Sequence, residues 1–301
     1  MMLTFSQLLT LLGQEPVAMW SQWVQALIAQ KTQGLDGMAL SGIEAKVSPQ
    51  TQTAVARRAG SVAVIPVSGV ITAKPTMWER WGFTTSVDSL VRATRAAVND
   101  QEIKAVIWDM DTPGGTSSGV HEGFAELMDL RGRKPIIAQV DHLSASAGYW
   151  LASAADEIAI APSGLVGSIG VYMLHMDVSA AMEIMGFKAE FIQAGKDKVL
   201  GNEFSSLDDR ARAYFQGLVD DTYAAFIGDV AKGRGVDAKE VRSDSWGTGR
   251  VLTATDAKSV GMVDVIRSMS QTLAAYGAQQ SGGTGDRQRR ALALKLLELD
   301  D

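Results

Sequence analysis

Two strand-to-helix turns in this 301-residue chain bring small hydroxyl residues and glycines to places where a backbone can do chemistry. The first, Asp111-Thr112-Pro113-Gly114-Gly115-Thr116, follows the apolar run Ala105 to Trp108 and precedes a helical stretch containing Phe124 and Leu127. Paired glycines at the C-terminal end of a strand let a ligand approach the main chain and leave N–H groups pointing into a crevice, a geometry suited to an oxyanion. The same hexapeptide also reads as a tight turn in which Pro fixes φ and Gly supplies φ > 0. The second turn, His142-Leu143-Ser144-Ala145-Ser146-Ala147-Gly148-Tyr149-Trp150, follows the run Ile136 to Val140 and enters a helical stretch, Ala147 to Ala154. A serine at such a turn has its Oγ presented at the positive end of the helix. Ser144 and Ser146 read equally as helix caps.

A nucleophilic serine needs a base. His142, His175 and His121 qualify by type, but His142 is only four residues before Ser146 and has no assured path back to its hydroxyl. The other choice is a lysine whose ammonium is partly desolvated, so that the neutral amine can take the serine proton. Lys196 and Lys198 stand in Ala194-Gly195-Lys196-Asp197-Lys198-Val199-Leu200-Gly201, after a strand-like run from Ala189 to Gln193. Either is also compatible with a solvated loop. In Ser163-Gly164-Leu165-Val166-Gly167-Ser168-Ile169-Gly170-Val171, Ser168 lies between glycines, where it can orient an amine or be an ordinary turn residue.

The elements that must position these groups follow from patterning. Short apolar runs at Val62 to Val67, Ala105 to Trp108, Ile136 to Val140 and Ile158 to Ile160 are bounded by Gly, Pro or charge and read as buried strands. Helical stripes fill the gaps: Val87, Leu90, Val91, Thr94 and Val98 in one, and Leu207, Ala211, Tyr214, Leu218 and Phe226 in a long helix opened by Ser206 and Asp209. Alternation of this kind predicts an α/β layer fold with parallel strands and βαβ units. Three zones result: an N-terminal accessory arm over 1–59 with a helix-like stretch from Trp20 to Leu27, a core domain over 60–276, and a 277–301 tail of Gly-rich linker and short charged helix from Arg287 to Leu299.

Composition narrows the function classes. Cysteine is absent, which excludes disulfides, thiolate metal sites and a cysteine nucleophile. A net charge of −6 argues against nucleic acid as the main partner. No apolar run approaches the roughly 18 to 20 residues that span a bilayer, and the first basic side chain is Lys31, so neither a membrane anchor nor a secretory leader is expected and a cytoplasmic setting is. No metal and no cofactor are expected.

In order along the chain, these segments resemble the signal peptide peptidase A (protease IV) family of serine peptidases, and within it the tailed-phage head maturation proteases of the capsid protein C type. The resemblance runs from about Ser61 to Val265. It is carried by Val64-Ile65-Pro66-Val67-Ser68-Gly69, Asp109-Met110-Asp111-Thr112-Pro113-Gly114-Gly115, Ser146-Ala147-Gly148, Gly167-Ser168-Ile169-Gly170-Val171, Gly195-Lys196-Asp197-Lys198 with Gly201-Asn202, and Val260-Gly261-Met262-Val263-Asp264. It implies a crotonase-like (Clp protease-like) α/β fold and a Ser/Lys dyad, with Ser146 as nucleophile, Lys198 as general base, Ser168 holding the lysine, and the N–H groups of Gly115 and Ala147 as oxyanion hole. Ala147 stands where many members have glycine, which narrows the approach but keeps the N–H.

The resemblance further implies a homo-oligomeric ring acting on protein substrates. These would be capsid, scaffold or portal proteins or its own termini, in the host cytoplasm or inside an assembling phage head. Competing expectations are a bacterial signal peptide peptidase-like enzyme that degrades leftover peptides, a non-catalytic assembly scaffold on the same fold, an acyl-CoA enzyme of that fold, and a Ser-His-Asp enzyme using His142 or His175.

Overall fold

The computed structural model describes residues 16–19 and 57–277. The expected helices at Trp20 to Leu27 and Arg287 to Leu299, the linker that follows residue 277, and most of the 1–59 arm lie outside the described residues. In chain order the elements are β1 (Val17–Met19), β2 (Arg57–Ala59), β3 (Val62–Ser68), β4 (Val70–Thr72), β5 (Thr84–Ser86), α1 (Val87–Asn99), β6 (Ala105–Thr112), β7 (Gly114–Thr116), α2 (Val120–Leu130), β8 (Ile136–Ala145), α3 (Ala147–Ala152), β9 (Glu157–Ile160), β10 (Leu165–Gly167), α4 (Ser179–Ile184), α5 (Asp209–Arg234), α6 (Ala238–Val241), β11 (Val251–Thr253), α7 (Ala254–Ser259), β12 (Val265–Ile266) and α8 (Met269–Ala275).

The expected parallel α/β layering is present. The larger sheet has the order β11-β10-β8-β6-β3-β2, with β9 beside β8 and β12 beside β9, and the smaller sheet has the order β1-β7-β4-β5. β3, β6, β8 and β9 run parallel. Successive side chains of a strand face opposite ways, so each central strand feeds two cores. Ile65, Val67, Val106, Trp108 and Met110 pack on one face with Leu90, Phe124 and Leu127 of the helices. Val62, Ala105, Ile107, Ile137 and Ala159 pack on the other, covered by Met269 and Leu273 of α8. Burial on both faces explains why these strands read as continuous apolar runs. Trp108 places its indole N–H on Thr94 Oγ1 of α1 at 3.0 Å, so the large ring is buried with its polar atom satisfied.

Two expectations fail. Ala189 to Gln193 form no strand: all five residues are exposed, and no neighbouring strand takes their backbone groups. The long helix begins later than its stripe suggested, capped by Asp208, which accepts the Ala211 N–H at 2.7 Å. Its first half projects past the core and leaves Tyr214 exposed, whereas Phe226, Ile227, Val230 and Ala231 are buried.

Candidate active site

β8 has two halves. Its first half pairs with β9, from Ile137 opposite Glu157 to Val140 opposite Ile160; its second pairs with β10, from Leu143 opposite Leu165 to Ala145 opposite Gly167. The chain then turns sharply at Ser146, which adopts φ 55° and ψ −119° and leads straight into α3. L-residues rarely take such angles, and the cost is met by the surroundings. The Ser146 N–H donates to Gly167 O at 2.7 Å, its carbonyl accepts the Trp150 N–H at 2.9 Å, and Trp150 and Tyr149 are fully packed beneath the turn.

Ser146 does stand at the N-cap position of α3, as the alternative reading has it, but its side chain makes no capping bond. Its Oγ is buried and directed at Gly170 O, 3.4 Å away. Ser144, the other serine of the turn, lies within β8 with its Oγ buried and unpartnered among the described residues.

The Gly114-Gly115 turn comes to this place because the ends of β3 and β6 are tied together: Thr112 Oγ1 donates to Gly69 O at 2.6 Å and accepts the Gly114 N–H at 3.1 Å. Gly114 has φ +93°, and a Cβ there would stand 2.9 Å from Ser146 Cβ. A Cβ on Gly115 would stand 1.9 Å from Ile71 O of the neighbouring strand β4. Both positions therefore require glycine for close approach. Gly148 serves packing instead, since a Cβ there would meet Thr112 Cγ2 at 2.4 Å. The Ala147 N–H, at the first position of α3, is one of those that helix geometry leaves without an intrahelical acceptor.

Ser168 follows β10, is nearly buried, and has φ 54° with its N–H held by Arg250 O at 2.7 Å. Ser146, Ser168, Gly115 and Ala147 thus gather around the ends of β7, β8 and β10. Lys198 is elsewhere in the chain's contacts: it sits in the turn closed by its own N–H to Gly195 O at 3.1 Å, its side chain is exposed, and no hydrogen bond joins it to Ser146 among the described residues. Lys196, in the same turn, is exposed as well.

The histidines take other roles. His142 is exposed on β8, His121 pairs through Nδ1 with Asp229 at 2.7 Å, and none of the three bonds to Ser146 among the described residues. Tyr149 is close in sequence to Ser146 but cannot act as base, because burial pushes its phenol far above the ordinary range and its O–H donates to Met262 O at 2.8 Å.

Tyr172 was not among the residues singled out from the sequence, yet it holds the far edge of β1: its N–H and C=O exchange hydrogen bonds with Val17 at 3.1 and 2.9 Å. Only its position just after Gly170-Val171 hints at that. No helix among the described residues is long and apolar enough to cross a membrane.

The peptidase family S49 model matches residues 129–281, which include the Ser146 turn, Ser168 and Lys198. The capsid assembly protease C of Escherichia phage lambda is 30% identical over 226 residues, covering 74% of this chain and 52% of the phage protein. The head-tail preconnector protein GP5 of Enterobacteria phage P21 is 26% identical over 234 residues, covering 76% of this chain and 46% of that protein. The chain spans about half the length of these curated relatives. Among solved structures, a ClpP1 mutant from Listeria monocytogenes superposes with a TM-score of 0.42 at 12% identity, covering 70% of this chain and 94% of that one. With the family model covering half of its length, the chain belongs to peptidase family S49.

Proposed function

We propose that the protein is a serine endopeptidase in which Ser146 Oγ attacks a peptide carbonyl and the N–H groups of Gly115 and Ala147 hold the resulting oxyanion. The observation that carries this reading is the strained turn at Ser146, which fixes a buried hydroxyl beside Gly114. Backbone donors placed in advance where negative charge develops are the most effective part of such sites, each contributing about 2.7 to 4 kcal/mol. Neutral Lys198 accepts the serine proton and returns it to the leaving amine, Ser168 orients that amine, and water then hydrolyses the acyl-enzyme.

Because Lys198 is exposed and makes no bond to Ser146, the dyad needs the segment around it to close on the turn, and we infer that a neighbouring copy supplies it. Ile184, Met185, Phe187, Phe191 and Ile192 are all exposed on the segment leading to Lys198, with Ile192 wholly so. An apolar run of this size supports a subunit interface, in keeping with a homo-oligomeric ring. Capsid, scaffold or portal proteins are the substrates in this reading, which is supported by similarity to a capsid assembly protease and a head-tail preconnector protein of phages.

The test is incubation of the full chain and of Ser146→Ala with capsid, scaffold and portal precursors, followed by mass mapping. Discrete products from the first and none from the second are expected. Identical products from both would overturn the assignment.

A further inference from the structure

β1 lies between β7 and Tyr172, beside the Ser146 turn. On one side it pairs antiparallel with β7, Val17 opposite Thr116, Ala18 opposite Gly115 and Met19 opposite Gly114. On the other it pairs with Tyr172, the N–H and C=O of Val17 both being taken by that residue. Ser117 fixes the near end, its N–H and Oγ both donating to Pro16 O, the latter at 2.6 Å.

A strand's backbone groups alternate from edge to edge. With Val17 committed to Tyr172, the N–H and C=O of Ala18 are directed at Gly115. The Ala18 carbonyl therefore lies on the amide assigned above to the oxyanion. Gly114 confirms the closeness: a Cβ on it would be 2.3 Å from Ala18 O and 2.9 Å from Ser146 Cβ, so both flank one spot. Val17 and Ala18 are wholly buried and Met19 nearly so.

We propose that the slot between β7 and Tyr172 is the site that takes an extended substrate peptide, and that the chain's own Val17–Met19 is held there as a resident strand that masks Ser146 until displaced. This rests on the reading of Ser146 as nucleophile. Main-chain bonds on both edges make the slot a receptor for an added strand, with side-chain selection at alternate positions. Ala18, whose carbonyl meets Gly115, marks the position before the bond that would be attacked. Competition between a tethered strand and free substrate is governed by effective concentration, which favours the tethered one.

The experiment compares the full chain with Val17→Pro, which deletes the N–H donated to Tyr172, and with a truncation lacking residues 1–19; circular dichroism checks the fold of each. Labelling of Ser146 by an alkyl fluorophosphonate is expected to be at least tenfold faster in both variants. A peptide copying residues 14–20 should slow it again. Equal labelling in all three proteins overturns the occupancy and leaves the nucleophile standing. Absence of labelling in all three removes the nucleophile instead, and the slot is then read by fluorescence anisotropy of the same peptide. Saturable binding to the variants and not to the full chain supports the resident strand; equal binding, or none, overturns it.

Discussion

Trp150 lies flat on Phe226, ring centroids 4.4 Å apart and 6° from parallel, and its indole N–H donates to Asp229 at 2.8 Å. This contact joins the helix that leaves Ser146 to the buried half of α5. Phe226→Ala should destabilise the fold by about 3 to 5 kcal/mol, the range for truncating a buried aromatic. Urea unfolding checks it, and a change under 1 kcal/mol would show that α5 does not brace the turn.

Ser146 itself should be a place where stability is given up. Replacing it with glycine relieves a backbone cost of about 1 to 3 kcal/mol, offset by roughly 0.4 to 1 kcal/mol of added unfolded-state freedom. Ser146→Gly is expected to melt higher than the unaltered protein, by about 1 kcal/mol of stability, while turnover falls on the order of a millionfold. A lower melting temperature would mean that the turn carries no strain.

Lys198 and Lys196 separate the proposed base from a bystander two residues away. Turnover should fall on the order of 10³-fold or more in Lys198→Ala and change little in Lys196→Ala. Mixing Ser146→Ala with Lys198→Ala subunits should restore activity, since some sites then hold the intact serine of one copy and the intact lysine of another. Peptidase assays of each variant and of the mixture decide the point, and silence of the mixture would place both groups in one chain.

Asp264 gives a pH dependence. Burial raises its pKa, but the forked bonds from Arg234 at 2.7 and 2.9 Å and the Ile158 N–H at 2.7 Å outweigh that, and the net position lies below the ordinary 3.8. A carboxylate depressed in the folded state adds stability above its unfolded pKa and loses it as pH falls through the folded one. Thermal stability should therefore be level near neutrality and decline below about pH 4. Asp264→Asn should lower stability at pH 7 by about 1.5 to 3 kcal/mol and flatten that acid decline; an unchanged slope would assign it to other carboxylates.

What the sequence made legible was local. The strands of the parallel sheet stood out because burial on both faces leaves unbroken apolar runs, the Gly114-Gly115 turn because paired glycines at a strand end mark close backbone approach, and the Ser146 turn because a small hydroxyl residue lies between a strand and a helix. Two things were hidden. The pairing of Val17–Met19 with β7 and Tyr172 joins residues about a hundred and more positions apart through backbone groups, which carry no residue code. The exposure of Tyr214 and of Ala189 to Gln193 was hidden for a related reason: an apolar side chain on an isolated segment looks the same in sequence whether it meets a core or a second molecule.

The pairing of β6 with β8 slips between Met110, opposite Val140, and Thr112, opposite Ser144. One residue of β6, Asp111, faces three of β8, Asp141, His142 and Leu143, a surplus of two shortly before the turn. That surplus acts as a spacer whose length, more than its composition, sets where the hydroxyl emerges. Side chains at 142 can vary freely, while a one-residue deletion is expected to rotate the serine to the opposite side of the sheet and abolish the proposed cleavage without removing any of the residues proposed to react.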